Sequence, residues 1–302
     1  MEYNTLIMPS KKILFITLSN IGDVVMTLPT FEFLNKKYPK SRFDLVCDKR
    51  SVEIFKYFPN VRKIFIKDKK KGLMGNFFLI QQLRKKEYDI AVDLRTDIYL
   101  YFIKSKQKFF KINNSHLHSI EKHFISVERD LSKLPSPKIY IPKTIFNQIK
   151  KFFFNKQDKI LSIALGANSS FKIWPTEKYI ALLNKMNNKF DQVFLLGDNR
   201  DFFKAEFFRK NYKNKSINLC GKLSLIESAA IIKKSDFFIG NDSGLGHIAS
   251  ALNIPCFIIF GVGNPLRYRP WGNKSFWFQS EKKDINEITV ETIYEKSKLM
   301  FK

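Results

Sequence analysis

The chain has 302 residues, 53 Lys and Arg against 28 Asp and Glu, a formal charge of +25, and 44% hydrophobic residues. That length holds two domains of ordinary size, and that apolar share excludes a disordered chain. The charge points toward acidic partners such as nucleic acid, phosphorylated lipid or nucleotide, and it equally fits a compositional bias toward Lys and Phe.

The N-terminal stretch shows no charged segment leading into a long apolar one, and the first apolar run, Ile13–Leu18, is too short to span a bilayer. A cytoplasmic protein without a membrane anchor is expected, with contact at a membrane surface left open. Cys47, Cys220 and Cys256 are odd in number and far apart, with no CxxC pair. This argues against a disulfide framework or structural zinc and for a reducing compartment.

Short β-like runs at 13–18, 43–47, 63–66, 89–94 and 108–112 alternate with helical patterns at 22–37, 50–57, 76–86 and 119–132. Such alternation predicts a parallel sheet covered on both faces. Residues 133–145 hold three prolines and read as a linker. The alternation then restarts, with strands at 160–165, 192–197, 217–221, 236–240 and 256–261 and helices at 176–189, 200–210, 224–234, 243–252 and 287–301. The expectation is an α/β chain of two doubly wound domains, 1–145 and 146–302, facing across a cleft, with the last helix able to pack back on the first domain. In such sheets ligands sit beyond the carboxyl ends of the strands, so chemistry is sought there.

Three strand ends carry polar motifs. "TLSNIGDVV" (17–25) places Gly22 and Asp23 at a helix start. Asp23 reads either as a helix N-terminal carboxylate or as a general base that accepts a proton from a hydroxyl. "ALGANSSFKIWP" (164–175) offers Ser169, Ser170 and Lys172, a set suited to a diphosphate or to an ordinary solvated loop. "GNDSGLGHIASAL" (240–252) places Asp242, Ser243, Gly244 and His247 at the start of another helix. There, free N–H groups make an anion site, or Asp242 is an N-cap and His247 a satisfied helix residue.

Some chemistries are disfavoured. The chain has no GxxxxGK[ST] and no GxGxxG after the first strand. His116, His118, His123 and His247 form no HExxH, and no carboxylate is spaced to complete a metal pair at His116 and His118. No bound metal is expected.

The motifs "IGDVVMTLPTFEFL" (21–34), "YDIAVDLRTD" (88–97), "HSIEKHFISVERDL" (118–131), "KIWP" (172–175), "IGNDSGLGHIASALNIPCFIIFG" (239–261) and "NPLRYRPWG" (264–272) run in an order that resembles glycosyltransferase family 9, the ADP-heptose:lipopolysaccharide heptosyltransferases. The resemblance implies a GT-B fold, with acceptor held mainly by the first domain and nucleotide sugar mainly by the second. It implies an inverting, metal-independent transfer of heptose from ADP-heptose to the lipopolysaccharide inner core, either Kdo-lipid A or a first heptose. No cofactor beyond the donor substrate is implied and no nucleic-acid partner, while contact with the cytoplasmic face of the inner membrane is left open. Asp23 matches the family's catalytic base. Ser169, Ser170 and Lys172 match its diphosphate-holding loop. Asp242, Ser243, Gly244 and His247 match its donor motif, with Ser243 where Thr is usual. Gly22 and Lys122 fall on the acceptor side. Arg95 stands where the family often has Gln, which leaves the acceptor open. The alternatives are transfer of another sugar to a glycan or protein, a nucleotide-sugar epimerase, and a basic nucleic-acid-binding module.

Overall fold

The computed structural model describes residues 10–68, 72–95, 98–187 and 189–298. Its contacts separate into two compact units, Met1–Tyr140 and Ile141–Lys302.

The first unit contains β1 (Lys12–Ile16), α1 (Ile21–Lys37), β2 (Arg42–Asp48), α2 (Val52–Lys56), β3 (Val61–Lys67), α3 (Gly72–Arg84), β4 (Glu87–Asp93), α4 (Ile98–Phe102), β5 (Lys104–Phe110) and α5 (Ser119–Phe124). The strands pair in parallel in the order β3-β2-β1-β4-β5. The order reverses between β1 and β4, which is where an open α/β sheet leaves a crevice. On one face, Leu14, Ile16, Val46, Phe65 and Ala91 pack under Leu79 and Leu83 of α3 and Leu100 of α4. Elsewhere in the core, Phe31 of α1 makes ring contacts with Phe15, Phe43, Phe55 and Phe58 at centroid distances of 4.5 to 5.6 Å. These rings fix the angle at which α1 leaves the end of β1. Asp44 is buried on β2 and accepts from Arg62, Lys86 and Tyr88 at 2.7, 2.8 and 3.0 Å. Burial alone would raise its carboxyl, but these three donors together outweigh that and hold it below the usual range.

The second unit contains α6 (Lys143–Ile149), β6 (Ile160–Ala164), α7 (Thr176–Lys185), β7 (Gln192–Leu195), α8 (Phe202–Asn211), β8 (Ser216–Asn218), α9 (Leu225–Lys233), β9 (Phe237–Asn241), α10 (Gly244–Ala251), β10 (Cys256–Phe260), α11 (Pro265–Tyr268), β11 (Ser275–Gln279) and α12 (Val290–Lys298). Its parallel order is β11-β10-β9-β6-β7-β8, and the reversal falls between β6 and β9. Alternate strand residues Leu161, Ile163, Ile239 and Ile259 pack under Tyr179 and Leu183 of α7 and Ile293 of α12. Residue by residue along each strand, the period of two sets this core face.

The expected α/β class holds, with two doubly wound parallel sheets. Several boundaries differ. The helix expected at 119–132 stops at Phe124, and a 3-10 turn at Leu131–Lys133 follows. α6 begins inside the proline-rich segment read as linker. β11, α4 and α11 are additional elements. The last helix is expected to reach residue 301, but residues 299–302 lie outside the described residues. Among the described residues, no helix is long and apolar enough to cross a membrane.

Candidate active site

In the first unit, Ile16 at the end of β1 lies opposite Asp93 at the end of β4. The chain then turns through Asn20 into α1, bringing Gly22 and Asp23 into its first turn. Asn20 does not cap the helix with its side chain. Its Nδ2 donates instead to Asp23 Oδ2 at 2.9 Å. The Arg50 guanidinium stands 3.5 Å from Asn20 Oδ1, and Asp48 holds Arg50 through a 3.2 Å hydrogen bond. Asp23 is thus half-buried, with one carboxylate oxygen engaged by a neutral amide. A carboxylate oriented in this way can accept a proton from a nearby hydroxyl.

Asp93 is fully buried and accepts from Arg95 N at 2.8 Å. Lys111 Nζ donates to Arg95 O at 3.0 Å, and Arg95 Nη1 is buried without a hydrogen-bond partner. Lys122 lies on α5, which packs against α1. Asn20 and Asp93 were not singled out from the sequence. Their signal was position alone, since each stands at the carboxyl end of a strand beside the reversal.

In the second unit, the segment 165–175 after β6 and the segment 241–244 after β9 meet. Ser169 and Ser170 open a 3-10 turn, Ser170–Lys172, closed by Lys172 N donating to Ser169 O at 3.1 Å. Lys172 Nζ donates to Asp242 Oδ2 at 2.5 Å. One of the ammonium's three donors is occupied, which leaves two for an anion. Asp242 is therefore, first, the counter-ion that aims Lys172.

Asn241, one residue earlier and fully buried, braces both segments. Its Oδ1 accepts from Trp174 N and Tyr179 Oη, both at 3.0 Å, and its Nδ2 donates to Leu165 O at 2.9 Å. Trp174 Nε1 donates in turn to Ile288 O at 2.9 Å. Gly261 seals the other side, because a Cβ there would lie 2.1 Å from the Phe171 carbonyl oxygen. Asn241 is another residue missed from sequence, where it stood one residue past the expected strand 236–240, inside the quoted motif, and was given no role.

Ser243 is the N-cap of α10, yet its Oγ is buried and makes no hydrogen bond. Gly244 begins the helix, and His247 is buried in its first turn. The free N–H groups of a helix start, a spare hydroxyl and a held ammonium together form a site for a phosphate-type anion.

His118, weighed as half of a metal pair, accepts from Ile120 N through Nδ1 and caps α5. The three cysteines are buried. Burial pushes Cys47 and Cys220 up to about 12 and Cys256 up to about 11, so none is a ready nucleophile. Among the described residues, no three His, Cys, Asp or Glu side chains gather as a metal-ligand set.

Two Rossmann-ordered sheets, each with its polar residues at the point of reversal, define the GT-B class. Comparison with known proteins agrees. The profile of glycosyltransferase family 9 (heptosyltransferase) matches residues 129–298. Lipopolysaccharide heptosyltransferase 3 of Escherichia coli is 24% identical, over 90% of this chain and 92% of its own. Lipooligosaccharide heptosyltransferase 2 of Campylobacter jejuni is 28% identical, over 84% of this chain and 83% of its own. The solved structure of E. coli ADP-heptose lps heptosyltransferase II superposes with a TM-score of 0.79 at 19% identity, covering 96% of this chain and 98% of that one. The chain belongs to glycosyltransferase family 9, and it is a glycosyltransferase.

Proposed function

We propose that this enzyme transfers a heptose from ADP-heptose to the inner core of lipopolysaccharide, at Kdo-lipid A or a first heptose. The names of the similar proteins support heptose as the sugar and lipopolysaccharide as the acceptor. The observation that carries the donor side is the Lys172–Asp242 pair beside the open start of α10, a ready diphosphate site. In the proposed step the acceptor oxygen forms a bond to the anomeric carbon as the bond from that carbon to the diphosphate oxygen breaks. The proton passes to Asp23, and the electron pair leaves with ADP. Displacement from the opposite side inverts the anomeric centre.

Lys172 and the N–H groups at Gly244 stabilise charge growing on the diphosphate, which is the work a metal does elsewhere. Ser169, Ser170 and Ser243 add hydroxyl donors, and His247 bridges sugar and phosphate. Gly22, Lys122 and Arg95 border the acceptor. The reaction would run in the cytoplasm, where nucleotide sugars are available, with no cofactor beyond the donor and no nucleic-acid partner.

The test is a panel of nucleotide sugars with purified protein, read by thermal shift and by turnover on a Kdo-bearing lipid A acceptor. Stabilisation by ADP but not by UDP, GDP or CMP, with turnover of ADP-heptose alone, is the expected result. Turnover of a different nucleotide sugar, or of none, overturns it.

A further inference from the structure

α1 starts against the usual rule for a helix N-terminus. An Asn at the N-cap normally turns its side-chain oxygen onto the N–H of the second or third helical residue. Asn20 is the N-cap of α1, and its side chain makes no such bond. It lies the other way. Nδ2 donates to Asp23 Oδ2 at 2.9 Å, and Oδ1 faces Arg50 Nη2 at 3.5 Å. The first turn of α1 forgoes a stabilising cap so that the amide can stand between a guanidinium and a carboxylate.

Only one orientation of this amide suits both neighbours. Flipped, its nitrogen would meet the guanidinium, donor against donor. Its oxygen would meet Asp23 Oδ2, acceptor against acceptor. Arg50 and Asp23 therefore fix the amide from opposite ends, and Arg50 does so from 30 residues away in the chain.

Arg50 is itself held. Asp48, the last residue of β2, caps the 3-10 turn Lys49–Ser51 by accepting from Arg50 N at 3.2 Å. The same oxygen accepts from Arg50 Nε at 3.2 Å. Ser51 is buried, and its Oγ donates to Asp48 O at 3.0 Å. β2 pairs with β1, and Thr17 N donates to Val46 O at 3.0 Å. The turn after β2 thus stands beside the turn that leads into α1. The planar fork of a guanidinium spans both contacts, with Nε on Asp48 and Nη2 toward Asn20. An ammonium has no such pair of fixed donors.

We propose that Arg50 and Asn20 are positioning residues for Asp23, with Arg50 acting through Asn20. The positive guanidinium at Oδ1 polarises the amide and strengthens the Nδ2–H bond to Asp23. That bond occupies Oδ2 and leaves Oδ1 as the oxygen that takes the acceptor's proton. Asp23 acts here as the base of the proposed transfer, on which this assignment rests.

Two experiments test it, and the first needs no substrate. The full chain is isotope-labelled at asparagine and observed by NMR, and the Asn20 side-chain amide signal is identified by its loss in Asn20→Ala. The signal is expected to move in Asp23→Asn, which removes the charged acceptor. In Arg50→Ala it should move toward the position of a free side-chain amide. A signal unchanged by Arg50→Ala overturns the proposal, whatever sugar the enzyme transfers.

The second is a double-mutant cycle on turnover. Arg50→Ala should lower kcat by about 10-fold to 10²-fold, with acceptor KM and ADP affinity within about twofold of the wild type. In the Asn20→Ala background the same change should lower kcat by less than about twofold, because the link it acts through is gone. Arg50→Lys keeps the charge and loses the fork, and it should fall with Arg50→Ala. A rise in acceptor KM with kcat unchanged makes Arg50 a direct acceptor contact. Additive losses make it independent of Asn20. Full activity in Arg50→Lys leaves its charge alone as the cause. Each of these overturns the proposal. A wild type without turnover refutes the proposed reaction instead, and the amide signal still decides whether Arg50 holds Asn20.

Discussion

The carboxyl edges of the two sheets are built differently. In the second unit the edge is braced from several sides. Asn241 ties three segments together, Trp174 is pinned at both its nitrogens, and Gly261 admits the Phe171 carbonyl at a distance no side chain allows. In the first unit Asp23 is held by a single amide, Asn20, and Arg95 carries a buried nitrogen without a partner. A pre-formed edge suits a ligand that stays the same, such as a nucleotide diphosphate. A looser edge suits a ligand that adjusts its site on binding. The family profile follows the same division, since its match at 129–298 covers nearly all of the second unit and only the tail of the first.

The largest expected effect lies at the looser edge. Asp23→Asn should lower transfer by about 10²–10⁴-fold, while ADP binding measured by calorimetry stays within about twofold of the wild type. Unchanged turnover removes Asp23 from the reaction. Weakened ADP binding, instead, would mean that the contrast between the edges is wrong.

Next is the braced edge. Lys172→Ala should reduce kcat/KM by about 10²–10³-fold and weaken ADP binding as well. Asp242→Asn tests its counter-ion role. It should leave Lys172 in reach of the diphosphate but less well aimed, so that kcat falls more than KM rises. A rise in KM with kcat unchanged would assign Asp242 to ground-state sugar binding.

Asn241→Ala probes the brace itself. It strands the Trp174 N–H and the Tyr179 hydroxyl in a buried space, and each unpaired group costs about 1–3 kcal/mol. The melting transition of the second unit should fall clearly, and donor affinity with it. Asn20→Ala, at the exposed first edge, should leave stability nearly unchanged and lower only turnover. If the two variants destabilise alike, the braced and loose description fails.

The smallest effect is a pH response confined to the first unit. His123 is buried on α5, and desolvation is the main reason its imidazole is held down at about 3, with lesser repulsion from Lys122 and His118. Its folded value lies below the unfolded one, so the unfolded chain binds the proton first. Stability is therefore intact above about pH 6.5 and declines as pH falls from there toward 3. Asp44, whose folded carboxyl is also depressed, adds a loss only at lower pH, below the ordinary carboxylate range. Denaturant melts of His123→Leu should be flat between pH 6.5 and 5, where the wild type weakens.

Much of this was legible in the sequence. The alternation of short apolar runs with helical stretches specified ten of the strands and most of the helices, because a parallel strand buried on both faces is apolar along its length, as β1, β6, β9 and β10 are. Glycine and polar residues just after strands marked Asp23, Lys172 and Asp242–Gly244, because chain turns at strand ends need them. β11 escaped notice because it is an edge strand, half-exposed, and its run "SFWFQ" follows a loop without a strong helix before it. The helix expected at 119–132 was too long because the apolar periodicity of 124–131 belongs to turns that bury Ser126 and not to further helix.

What the sequence alone determined is the list of local decisions: which segments are strands, where each turns, and which polar types stand at the turns. These depend on interactions within a few residues. Pairings across long separations were decided only by the tertiary structure. Asp242 reaches Lys172 across 70 residues, Asn241 reaches Trp174 across 67, and Tyr99 of α4 reaches Asn76 of α3 across 23. No local pattern encodes such contacts, because strand order and register bring them together, and these are set by the packing of the whole sheet.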